Sequence, residues 1–250
     1  MAAAQYVSFI PNDFLENEVR SLLASGAAAI SPAVSLTRNT LDPFGIIFEM
    51  SGFNMANLDQ WVVNEKQRQA QKTVQNCIGA FHQNILGNIH IAGAKISDNL
   101  NAGHNSGLDV VVPTRLIIAD IKNKFNTLNA KAKLAAYDSM YAIVTPRVSA
   151  YHSYTAYYVE MISTNAVKSQ LTGRPFTPSD SSTSSVRAAH PKIKQISGRN
   201  FYALVTGIPN ALDLLFAALP IVISNVSMPG YSYSPADITR INRYFQSACV

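Results

Sequence analysis

Apolar residues recur at helical spacing toward both ends of the chain and run together in short aliphatic stretches at its centre. From about Leu58 to Leu86, Trp61, Val74, Ile78, Phe81 and Ile85 fall on one face, with Lys66, Arg68, Gln69, Lys72 and Gln75 on the other. That is the pattern of a long amphipathic helix. Asn57 suits its N-cap and Gly87 its end. A shorter helix is expected from near Asp13, capped by Asn12, with Glu16 early in it and Phe14, Val19, Leu22 and Leu23 as its stripe. Residues 24–41 are small and aperiodic, which predicts a loop or a loosely packed helix end. Residues 88–107, rich in Gly, Asn and His, predict a loop.

The centre changes period. Leu108–Val112 and Leu116–Ile121 are aliphatic or β-branched runs separated by Pro113, Thr114 and Arg115, which predicts a hairpin. A helix from about Leu128 to Ile143 follows and is ended by Pro146, and Tyr154–Ile162 has the Tyr, Val and Thr content of a strand. Residues 172–189, with Gly173, Pro175, Pro178 and a Ser/Thr run, predict a long loop. Residues 201–206 fit strand or helix equally. Asn210 is a candidate cap for a buried helix through Leu219, followed by a turn or strand, and Pro235–Ala248 is a last helix with Asp237 in its first turn. Strands mixed with helices, no repeat and no clear linker predict one mixed α/β domain with a central sheet flanked by helices. Residues 1–56 form its N-terminal helical part and 57–250 its core.

Composition narrows the classes. Hydrophobic residues make up 48% of the 250 and charged residues 14%, so the chain can bury a core and is not globally disordered. A net charge of +5 suits a polyanionic partner. Two cysteines, Cys77 and Cys249, lack the spacing of a zinc ribbon or redox pair and fit a reducing cytoplasm. The N-terminus has no basic signal-peptide region. The most apolar stretch, 211–226, is too short for the roughly 20 residues that span a bilayer, and it contains Asp213 and Pro220. No membrane role is expected.

Candidate chemistry sits in the hairpin. On a strand, residues two apart share a face, so Asp120 and Lys122 point one way while Ile121 points into the core. Asp120 interrupts an aliphatic run, and an acid there needs a reason. Asp109 lies on the partner strand, where a tight turn brings it near. Two carboxylates and one ammonium at a sheet edge suit Mg2+, which prefers oxygen ligands and also binds phosphate oxygens. Such an ion can polarise a phosphodiester, and the ammonium can orient water or offset charge on the pentavalent transition state. The same residues also fit an exposed edge pair with no chemistry.

An acid followed roughly ten residues later by Asp/Glu-x-Lys on a strand resembles the PD-(D/E)XK nuclease superfamily. The wider chain resembles one of its branches, the type II restriction endonucleases that cut GGNCC or GGWCC sites. The similar blocks are Gln71–Gly79 (QKTVQNCIG), Phe81–Gly87 (FHQNILG), Ala119–Thr127 (ADIKNKFNT), Tyr154–Glu160 (YTAYYVE), Pro175–Asp180 (PFTPSD), Phe201–Gly207 (FYALVTG) and Pro209–Asp213 (PNALD). Carried over residue by residue, the resemblance implies metal ligation by Asp109 and Asp120 and a catalytic amine at Lys122. The chain departs from the usual pattern at Leu108, where proline is common, and at Asp120, where glutamate is commoner. The resemblance implies a restriction-endonuclease-like fold, Mg2+-dependent cleavage of double-stranded DNA, a homodimer on a pseudo-palindromic site, and a protecting DNA methyltransferase as genetic partner. A repair or phage-type nuclease, a non-catalytic DNA-binding module and a protein without a nucleic-acid role are the rival classes.

Further candidates each carry two readings. Asn123, Lys124 and Asn126 contact phosphates or base edges, or form a solvated strand end. Glu65 completes the metal site from the long helix, or is a surface charge. Lys72 and Gln75 face DNA or water. Arg187, Lys192, Lys194 and Arg199 clamp phosphates, or form a solvated basic face. His82 and Gln83 read as buried hydrogen-bonding residues, and His104 as a solvated loop residue.

Overall fold

The two aliphatic runs form the expected hairpin in the computed structural model, which describes residues 5–31, 41–100, 107–227 and 233–250. His104 lies outside them. The elements before the hairpin are α1 (Asn12–Ala29), α2 (Pro43–Gly52), α3 (Leu58–Leu86) and the two-residue strands β1 (His90–Ile91), β2 (Ala94–Lys95) and β3 (Asp98–Asn99). The hairpin itself is β4 (Val110–Val112) and β5 (Ile117–Lys124), joined by one 3-10 turn over Pro113–Arg115. Beyond it come α4 (Ala130–Val144), β6 (Thr155–Ile162), the short α5 (Asn165–Lys168), then β7 (Arg174–Pro175), β8 (Ser179–Asp180), β9 (Ser185–Val186) and β10 (Ile193–Ser197). The chain closes with α6 (Gly198–Thr206), α7 (Ala211–Val226) and α8 (Pro235–Cys249).

Among the described residues a six-stranded mixed sheet has the order β3-β4-β5-β6-β10-β7. β4 pairs antiparallel with β5, while β5, β6 and β10 run parallel. Parallel neighbours must be covered on both faces, and here they are. Ile117, Ala119, Ile121, Val159 and Met161 pack with residues of α1, α3, α6 and α7 in one large core. Ile118, Ala156, Tyr158 and Ile193 pack under Tyr137, Met140 and Val144 of α4 on the opposite face. Leu15 and Val19 of α1 belong to the larger core, so α1 and the sheet share one interior, whereas α2 buries no residue.

Several local expectations are corrected. Asn12 is the first helical residue of α1 and accepts from the Tyr6 amide at 2.9 Å; the cap position is Pro11. α1 continues through 24–29, because its alanines favour helix even without an apolar stripe. The loop expected over 88–107 contains β1, β2 and β3, and that over 172–189 contains β7, β8 and β9; all are too short to show a period. Residues 201–206 are helical within α6. β10 went unread because Lys194 and Gln195 break its aliphatic pattern. α7 does not stop at Pro220 but runs to Val226, and Asn210 makes no side-chain cap. A proline inside a helix costs about 3 kcal/mol, and burial of Leu215, Ala218 and Val222 offsets it.

Other caps form as expected: Asn57 accepts from Gln60 N at 3.0 Å to start α3. Gly87 ends α3 without a left-handed turn (φ −79°). It is required instead for close approach, since a Cβ there would lie 2.7 Å from the Asn99 backbone nitrogen. That contact docks the end of α3 on β3 beside the hairpin.

Candidate active site

β5 carries the candidate groups Asp120 and Lys122 on the face opposite its main core. Ile117, Ala119 and Ile121 enter that core, so Asp120 and Lys122 project under α4. Asp120 is only 4% exposed. Asp109 grips β5 on both sides of it: the Asp109 amide donates to Ala119 O at 2.8 Å, and the Asp109 carboxylate accepts from Ile121 N at 2.7 Å. Lys122 donates from Nζ to Asp120 Oδ1. The three residues singled out in the sequence therefore meet.

Their electrostatics are set by burial and by the closeness of the two acids. Burial pushes the Asp120 carboxyl up to about 7; Lys122 pulls it down, and the charge and hydrogen bonding of Asp109 push it up again. Two adjacent carboxylates cannot both ionise cheaply, and the Lys122 ammonium is bonded to Asp120 while Asp109 takes the Ile121 amide. A divalent cation relieves that repulsion, and all-oxygen donors suit a hard one. Asp109 and Asp120 are the residues that fit it. Among the described residues no third His, Cys, Asp or Glu joins them.

The structure does not bring Glu65 to this pair. Glu65 is 5% exposed on α3, and its carboxylate accepts from Arg68 Nε at 2.6 Å and Gln69 Nε2 at 2.7 Å. It lies ten residues before Gln75, or about 15 Å along the helix. Gln75 does approach the site strand: its Oε1 accepts from Asn123 Nδ2 at 3.3 Å. Lys72, Gln75, Lys124 and Asn126 are exposed and Asn123 is half-buried, and the Gln75–Asn123 bond links α3 to the end of β5.

The basic residues of 187–199 do not form a free basic face. Arg187 makes a two-pronged ion pair with Asp138, at 2.6 and 2.7 Å. Lys192 donates to the carbonyls of Val144, the last residue of α4, and of His152 in the turn before β6. Arg199 pairs with Asp213 at 2.8 Å, and Lys194 is half-buried on β10. His82 is a structural residue as expected: its Nδ1 lies 3.2 Å from Tyr202 Oη, and burial holds the imidazole down at about 4.

One acid beside the site, Glu160, was missed, and it lies two residues from a buried tyrosine, Tyr158. Glu160, on β6, is fully buried, and Tyr158, also on β6, has no partner for its hydroxyl. The signal was present, because Glu160 interrupts the run TAYYVEMI as Asp120 interrupts its own.

A mixed sheet with an acid clasping an Asp-x-Lys strand fits the nuclease class that the sequence resembles. The comparisons narrow it. A profile of the Eco47II restriction endonuclease family matches residues 7–227. The chain is 35% identical over 221 residues to the type II restriction enzyme Eco47II of Escherichia coli, covering 88% of this chain and 87% of that one. It is 27% identical over 223 residues to the type II restriction enzyme Sau96I of Staphylococcus aureus, covering 88% and 81%. The chain belongs to the Eco47II restriction endonuclease family, whose members are type II restriction enzymes, that is, site-specific deoxyribonucleases. Among the described residues no single helix is long and apolar enough to cross a membrane.

Proposed function

We propose that the chain cuts double-stranded DNA at a short GC-rich pseudo-palindrome of the GGNCC kind, with Mg2+ held by Asp109 and Asp120 and with Lys122 as the catalytic amine. The observation that carries this reading is the clasp of Asp109 around Asp120, with the Lys122 ammonium on the same carboxylate. Bound Mg2+ supplies Lewis acidity at the scissile phosphate. Asp109 fixes its own carboxylate through the Ile121 amide, so the pair is positioned before DNA arrives. Lys122 orients the attacking water or offsets the charge that builds on phosphorus. Lys72, Gln75, Asn123, Lys124 and Asn126 face the DNA from the outer turns of α3 and the end of β5. Arg187, Lys192 and Arg199 brace the fold around α4 and α7 through these partners, and Lys194 meets phosphate. Family membership supports a cytoplasmic homodimer, matched to the two-fold symmetry of its site, and a methyltransferase that protects the same site.

The test is digestion of unmethylated DNA of known sequence with Mg2+, followed by mapping of the ends. Discrete fragments whose ends share one GC-rich sequence are expected. A smear would assign a nuclease of low specificity, and intact DNA bound tightly in Mg2+ would assign a binding module.

A further inference from the structure

β6 carries a second buried acid next to the site, and its surroundings leave it half satisfied. Glu160 is 0% exposed, and its Oε2 has no hydrogen-bond partner. Its Oε1 has Lys133 of α4 at 3.5 Å, but that ammonium donates at 2.7 Å to the Phe125 carbonyl. On β10, Ser197 is in register with Glu160, and its hydroxyl already accepts from the Asn200 amide at 3.3 Å. A buried carboxylate oxygen without a donor is costly and rare, and calls for a reason.

The reason lies across the sheet. Glu160 is in parallel register with Lys122, as Tyr158 is with Asp120, so all four side chains share one face. The Tyr158 phenol registers both acids: burial and then the charges of Glu160 and Asp120 hold it well above its ordinary value. Neighbouring strands lie about 4.8 Å apart, whereas two residues along a strand span about 6.6 Å. The Lys122 backbone is thus nearer to Glu160 than to Asp120, and a four-carbon stem reaches either. The ammonium sits on Asp120, the same carboxylate proposed to hold the cation. A cation held at Asp120 would take that carboxylate from the Lys122 ammonium, which would then need another partner.

We propose that Glu160 is a positioning residue: its unpartnered oxygen receives the Lys122 ammonium when Asp120 turns to a cation, and so holds that ammonium beside the scissile phosphate. This rests on the nuclease reading above. Glu160 touches neither substrate nor cation; it acts through Lys122.

The test uses Glu160→Gln, which keeps shape and removes charge. On DNA that the parent protein cuts, the single-turnover rate is expected to fall about 10–100-fold, the usual cost of losing such a supporting carboxylate. DNA affinity measured with Ca2+, cation affinity, and the melting temperature of the metal-free protein are expected not to fall. A second measurement does not depend on the variant folding. In the parent protein crystallised with DNA and Ca2+, Lys122 Nζ is expected within about 3.2 Å of a Glu160 oxygen. Parental cleavage by the variant would overturn the proposal, as would loss of cation binding (Glu160 a ligand) or a lowered melting temperature (Glu160 structural). Lys122 still on Asp120 in that complex would also overturn it. Failure of the parent protein to cut any DNA would instead sink the nuclease reading, whatever Glu160 does.

Discussion

The two faces of β5 are built from the same strand by opposite rules. On one side Ile117, Ala119 and Ile121 vanish into the larger core, where even the polar His82 has a partner in Tyr202. On the other side Asp120, Lys122, Tyr158 and Glu160 are crowded under α4, with two of their polar atoms unpartnered and one carboxyl pushed to near neutrality. The first face stabilises the fold. The second is held in place by it at a cost, and such groups persist where function needs them.

Mutations that separate the two faces have effects of different kind and sign. The largest is on cleavage: Asp120→Asn or Lys122→Ala is expected to lower the rate by about 10²–10³-fold or more, with the fold intact by circular dichroism. Parental activity in either variant would refute the site. Next in size, Ile121→Ala on the core face is expected to destabilise by about 2–5 kcal/mol in urea unfolding, through a cavity rather than through chemistry.

Smaller, and opposite in sign, is the stability effect of Asp120→Asn. The Asp120 carboxyl is raised from 3.8 to about 7, so from about pH 4 to 7 the unfolded chain has released a proton that the folded chain keeps. The folded state then binds more protons, and stability falls as pH rises across that window. Above pH 7 the metal-free Asp120→Asn protein is therefore expected to be more stable than the parent, by roughly 1–3 kcal/mol. Equal or lower stability at pH 8 would mean that the Lys122 pair outweighs the burial. His82 supplies the matching control on the core face. Its value is lowered from 6.5 to about 4, so the unfolded chain protonates first as pH falls. Its contribution is complete above about pH 6.5 and is lost on going down to about pH 4, by roughly 1–3 kcal/mol. A melting-temperature series from pH 4 to 8 is expected to slope more steeply upward in Asp120→Asn than in the parent, and less steeply in His82→Leu.

Period and residue type made most of this legible. The hairpin, α3, α4, β6 and α8 follow from apolar spacing and caps, and the shared face of Asp120 and Lys122 follows from strand alternation alone. What escaped was set by tertiary packing. β10 is a central strand whose polar residues hid it, α7 passes through Pro220 because burial on both sides of it holds the helix, and α1 continues on alanine alone. The basic cluster illustrates the same limit. Sequence gathers Arg187, Lys192 and Arg199 within a short span, but only the fold reveals Asp138, the end of α4 and Asp213 as their partners. Glu65 likewise met the compositional test for a ligand and is held instead by its own helix.

The central claim is that Asp109 and Asp120 hold a divalent cation on the functional face of β5. Anomalous scattering from crystals grown with DNA and soaked in Mn2+ tests it directly. The expected result is a peak within about 2.0–2.5 Å of an oxygen from each of the two carboxylates. A peak at Glu65, or none between Asp109 and Asp120, would contradict it.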